Sequence, residues 1–291
     1  MKRGSHGRKS DVVIFNPLRV SKHSRILTLM TTFFRASLSI TAVAAGSYSY
    51  CVYQSLKATL PLHITSSKTI PQSLEDSATK KIIVNPDNHD CLDDSREARL
   101  VLDRALSDEQ ILAHFVKGFF GGWTFAPERI ILRIAQIQLV QLAALKDMPV
   151  SQRVWYTSEI SQDRLAKPGT IYFGAFQVAD RLVGDLQKAE HQQSKDEGDA
   201  TQGNSIDTSE SYVDFVFGSD KGILRGVHRF SVLRDASKAA NGRTQEVVIR
   251  FSHTGCNPRE TKPLGLAALK NFHLLYAMLL FREGVAEVLK Q

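Results

Sequence analysis

The sequence predicts an α+β domain in which antiparallel β-hairpins are followed by one long C-terminal helix, with a helical pair and an N-terminal anchor helix before them. Three observations predict it. Residues 211–252 hold three β-rich runs divided by turn-forming loops, as expected for a sheet with one face on the core. In the last thirty residues, LLYAMLLF is apolar almost all round, the pattern of a helix buried on more than one side. Between Arg35 and Lys57 lie 21 residues without a charge, close to the ~20 that cross a bilayer core as a helix.

The N-terminus reads as a basic tail, residues 1–25. It carries Lys2, Arg3, Arg8, Lys9, Arg19, Lys22 and Arg25 against Asp11 alone, so it holds six of the chain's seven net positive charges. A nucleic-acid-binding fold concentrates lysine and arginine on its folded surface. This distribution therefore speaks against nucleic acid as a partner. Residues 26–56 form the candidate anchor, with the membrane contact through residues 36–56. Tyr48, Tyr50 and Tyr53 gather toward its C-terminal end, as at a membrane interface, and the basic tail sets the orientation by the positive-inside rule. Rich in arginine, lysine and serine, the tail also has the composition of a mitochondrial presequence. The expected location is a mitochondrial or endoplasmic-reticulum membrane, spanned once.

Residues 57–106 read as an irregular linker broken by Pro61, Pro71 and Pro86. The domain proper is expected over 107–291. Ser107 caps a helix with Asp108 and Glu109 in its first turn, and Gly121 and Gly122 end it, one of them in the left-handed cap conformation. Pro127 starts a second helix, and Ile130, Ile131, Ile134, Ile137, Val140 and Leu145 continue a helical stripe to about residue 146. The runs VSQRVWYTSEI and GTIYFGAFQV then read as strands. Residues 187–210 hold almost no large apolar side chain and are expected to be a disordered loop. In SYVDFVFG, Tyr212 and Asp214 oppose Val213, Phe215 and Phe217, and the SDKG turn that follows places Gly222 where a positive φ is allowed. GVHRFSVL and QEVVIRFS complete the hairpins. In the last helix Leu264, Ala268, Phe272, Leu275 and Leu279 make a stripe.

HFVKGFFGGWTFAPER, FVFGSDKGILRGVHRFSV, and HTGCNP with LLYAMLLFREGVAEVL resemble an uncharacterised family of fungal proteins, itself distantly similar to a small bacterial START-like group. The resemblance covers roughly residues 105–291. It implies a helix-grip architecture, in which an antiparallel sheet curls around the C-terminal helix and encloses an apolar cavity. The N-terminal third, with the helical pair 107–146, departs from a plain helix-grip domain. The pocket walls on such a scaffold are expected from Phe215, Phe217, Phe230, Phe251, Phe272 and Tyr276, with Trp123 near the mouth and Arg250 or His228 as polar anchor. The expected partner is a hydrophobic small molecule or lipid. The rival expectations are an enzyme of the cyclase or isomerase type in a specialised biosynthetic pathway, using His228 or His253 as acid or base, and a non-catalytic membrane assembly factor.

RFSHTGCNP, residues 250–258, poses the one chemical question. Cys256 would need His253 within reach to act as a nucleophile. The thiol otherwise reads as a small buried group at a strand-to-helix corner. With the hairpin loop centred near 239, paired positions sum to about 478, which sets His228 opposite Arg250 rather than His253. A metal site from His228, His253 and Cys256 would require another register. No motif has structural zinc spacing, no GxSxG elbow occurs, and no cofactor is expected.

Overall fold

The computed structural model describes residues 39, 41–184, 210–234, 245–261 and 267–291. The basic tail, much of the candidate anchor and the loop expected at 187–210 (apart from Glu210) lie outside them. Residues 41–56 are helical (α1). Among the described residues, no helix is long and apolar enough to cross a membrane.

The chain divides into two units, residues 1–50 and residues 51–291. The second is an α+β unit built on a mixed eight-stranded sheet. Its strands are β1 (Ile64–Ser67), β2 (Cys91–Leu102), β3 (Arg153–Val154), β4 (Ile171–Tyr172), β5 (Phe176–Leu182), β6 (Glu210–Gly218), β7 (Arg225–Leu233) and β8 (Gln245–Cys256). They lie in the order β1-β2-β8-β7-β6-β5-β4-β3. Every pair is antiparallel except β3 with β4. Residues 57–106, read from sequence as an irregular linker, contain β1 and β2. β2 pairs with β8 along its whole length. Its sequence, CLDDSREARLVL, hides this: five charged residues stand where an alternating apolar pattern would announce a strand.

Of the helices, α2 (Gln72–Glu75) is one turn. α3 (Asp108–Gly121) starts as its sequence dictates. The Ser107 hydroxyl accepts from Gln110 N–H while the Gln110 side chain accepts from Ser107 N–H, closing a capping box. It ends differently from expectation. Gly122 has φ −68°, not a left-handed φ. Glycine is needed there because a Cβ would stand 2.2 Å from Glu283 Oε2.

α4 (Ala126–Ala135) stops well short of residue 146. Gln136 takes a left-handed φ of 48° and its N–H bonds Leu132 O. Residues 137–141 then dock as extended chain, Leu139 and Val140 donating to Gly174 O and Gln141 to Gly218 O. Val140 and Leu142 are buried while Ile137 and Leu139 face out, a period of two that displaces the helical reading. The expected stripe on α4 also faces solvent, with Ile134 77% exposed. Arg129 explains the orientation. Its guanidinium donates to Phe120 O and Gly122 O, which turns the arginine side of α4 inward.

α5 (Ala267–Val288) crosses the sheet face. Ala277, Leu280, Phe281, Val285 and Val288 are buried, whereas Phe272 and Leu275, expected on the inner stripe, are exposed. Close approach sets the phase. Gly284 packs against the Phe115 ring, and a Cβ on Gly118 would lie 2.5 Å from Glu283 O. α3 and α5 meet where only glycine leaves room.

The core lies on both sheet faces. Between the sheet and α3 and α5 sit Phe115, Phe119, Phe120, Phe215, Phe230, Phe251 and Phe281. The opposite face, with Val216, Val227 and Cys256, is covered by Leu74, Val84, Val140, Leu142 and Leu145. In the β6–β7 turn the left-handed position belongs to Gly218, φ +87°, and not to Gly222.

Candidate functional site

The register of β7 with β8 decides which histidines meet. His228 stands directly opposite His253, and Arg250 opposite Ser231. The pairing is three residues away from the one inferred from loop length, and an odd slip exchanges the faces. On the other side of β8, His253 pairs with Asp94 of β2. One row across three strands therefore carries Asp94, His253 and His228 on the face toward α5. His273 of α5 completes the group, its ring centroid 4.6 Å from that of His253. The His228 ring is 5.1 Å from His253 and 4.7 Å from Phe217.

These histidines line a cavity of about 330 Å³ with Phe119, Phe176, Phe217, Phe251, Tyr276 and Leu280. Ile223 and Leu224, both exposed, line it too. The cavity is apolar apart from its histidine side and the Tyr276 hydroxyl. A larger depression of about 420 Å³ on the other side of the sheet is lined by Gln138, Lys146, Asp220 and Lys221 among others, and brings no such group together.

Asp94 and Arg96 form an ion pair, each 3% exposed. Arg96 also donates to Leu274 O at 2.9 Å, fixing the start of α5 to β2. The pair takes Asp94 Oδ2. Among the described residues Asp94 Oδ1 has no hydrogen-bond partner, and neither do His253 Nδ1, His228 Nδ1 and His273 Nε2. Oδ1 lies 3.7 Å from His273 Nε2. Burial opposes the Asp94 charge, but the His273 contact and the His253 and Arg96 charges outweigh it and hold the carboxyl below its ordinary value. Burial pushes His253 down to about 3, against the pull of Asp94. His228 is pushed well below the usual range by burial, then by the charges of His253, His273 and Arg96. Both rings are therefore neutral at physiological pH.

Phe217, Phe251, Tyr276, His228 and His253 line the cavity. Phe215 and Phe230 sit in the closed core beside it. Phe272 is 61% exposed, stacked on Tyr276 at 5.8 Å between centroids. Trp123 is 50% exposed and borders a separate depression with Glu283 and Gly122. Arg250 lies on the opposite sheet face, its guanidinium 2.6 Å from Glu97. Asp214 holds Arg229 in two bonds of 2.7 Å.

Cys256 points away from His253, as an odd spacing on a strand requires. It is buried in the opposite-face cluster and donates to Val84 O. The HTGC stretch is thus no Cys–His dyad. Two members of the buried group escaped sequence reasoning. Asp94 stood in the presumed linker, and His273 lay in the apolar C-terminal helix with no motif around it. The signal for Asp94 was an acidic pair in a segment that also carries Arg96, Ala98 and Leu100 at a spacing of two. Comparison with known protein families, characterised proteins and solved structures finds no match for this chain.

Proposed function

We propose that the chain is a START-like helix-grip module that binds a hydrophobic small molecule or lipid in the cavity beneath α5. The cavity carries the reading. Its volume falls within the ~300–1,000 Å³ of small-molecule sites, and its wall is apolar with polar groups on one side only. The fold reading draws on topology: β2 lies beside the last strand, α3 and α4 intervene before the rest of the sheet, and α5 packs across its face. The membrane tether rests on the charge-free run 36–56 and the basic residues before it.

A second reading is an enzyme on the same scaffold, favoured by Asp94, His253 and His273 meeting beside an apolar cavity. One experiment separates the two. Full-length protein purified from a eukaryotic host is analysed by native mass spectrometry with solvent extraction, as wild type, as Ala277→Trp and as His228→Ala/His253→Ala. The binding module predicts a stoichiometric apolar molecule in the wild type. It also predicts at least tenfold less in Ala277→Trp, where an indole fills the cavity, and the same molecule in the histidine variant. A different molecule there supports the enzyme. A folded wild type with a clean apo mass removes the ligand reading.

A further inference from the structure

We propose that Asp94, His253 and His273 form a binding site for a divalent transition-metal ion at the edge of the cavity. Each residue offers a ligand atom, and all three atoms lie within 4.8 Å of one another. They come from three different elements, β2, β8 and α5, held by the ladder and by the Arg96 bond to Leu274 O.

The separation of Asp94 Oδ1 from His273 Nε2, 3.7 Å, is too long for a hydrogen bond. It is close to the roughly 3.3 Å between two ligands of one tetrahedral ion with bonds near 2.0–2.1 Å. Asp94 Oδ1, His253 Nδ1 and His273 Nε2 all lack hydrogen-bond partners among the described residues. Buried polar atoms left so cost about 1–3 kcal/mol each, and an ion would satisfy one atom on each residue. Arg96 on Oδ2 acts as a positioning residue that turns Oδ1 toward the histidines. Its positive charge also opposes a cation, so affinity in the micromolar range is expected rather than nanomolar.

Two imidazoles and one carboxylate suit zinc, iron(II) or cobalt(II), and the absence of a thiolate disfavours copper(I). Cys256 is no part of the site because it faces the other side of the sheet. His253 and His273 line the cavity. A further coordination position could therefore face it and take a polar group of whatever occupies it. The metal site is independent of the hydrophobic-ligand reading, because its test uses metal alone.

The test is titration of metal-stripped full-length protein with cobalt(II), followed by the visible absorption of the bound ion, by elemental analysis after desalting, and by displacement with zinc(II). One ion per chain is expected. His273→Ala and Asp94→Asn are each expected to weaken binding at least tenfold, and Cys91→Ser/Cys256→Ser to leave it unchanged. Circular dichroism melts accompany every variant. His273 is only half-buried, so His273→Ala decides the matter if Asp94→Asn does not fold. The proposal is overturned by no saturable binding up to about 1 mM, a bound too weak for a built site. It is equally overturned by binding that survives His273→Ala, or by binding lost with the cysteines.

Discussion

Glu283 shows how much one side chain can fix. Its carboxylate is buried and accepts from Trp123 N–H and Thr124 N–H, each at 2.8 Å, and from the Ser55 hydroxyl. It caps the corner after α3, ties in the end of α1, and explains the glycine at 122. Glu283→Ala leaves the buried Thr124 N–H and the part-buried Trp123 N–H unpaired and is expected to destabilise by about 2 kcal/mol. Urea unfolding checks this, and a loss under 1 kcal/mol would show that water replaces the carboxylate. The buried histidines make a second prediction at this scale. Their folded pKa values lie below the unfolded value of about 6.5. Between the two values the unfolded chain binds more protons, so stability falls as pH falls. Metal-free protein is expected to lose about 1.4 kcal/mol per pH unit for each such histidine below pH ~6.5. Asp94, held below its ordinary value, adds to the loss only below pH ~4. Urea midpoints at pH 7, 6 and 5 should show a shallower slope for His228→Phe. Equal slopes would mean that His228 titrates normally.

At the scale of elements, periodicity located segments better than it oriented them. The Ser107 cap, the β6–β7 hairpin and the long C-terminal helix were legible because each is written locally: a capping box, alternation around a turn, a long apolar run. The second helix was overextended. The isoleucine stripe of α4 is helical in spacing, but Arg129 turns it to solvent, and the chain after Gln136 prefers extended docking against Gly174 and Gly218. The inner face of α5 was misphased for a related reason. A helix apolar all round carries no phase in its pattern, and the phase comes from the glycine contacts with α3.

For the whole molecule the decisive element is β2. It gives β8 its second neighbour and places Asp94 and Arg96 under α5. A fragment beginning at residue 105 leaves that edge of β8 open and removes Ala98, Leu100 and Leu102 from the core. That fragment is expected to be insoluble or molten, whereas residues 51–291 should fold cooperatively. Circular dichroism melts and proton spectra of the two fragments provide the check, and a cooperative transition from 105–291 would show that β2 is dispensable.

The sequence by itself determined what depends on near neighbours along the chain: the α+β class, the Ser107 cap, the hairpin strands, and the concentration of positive charge at the N-terminus. Alternation along SYVDFVFG set Val213, Phe215 and Phe217 on one face of β6. Only the tertiary structure decided the register of β7 on β8 and the pairing of β2 with β8. Hence only it brought Asp94, His253 and His273 together and sent Cys256 to the other face. The physical reason is that strand pairing is nonlocal. Which residues lie opposite depends on turn geometry and on packing summed over the whole sheet, and an odd slip exchanges every face.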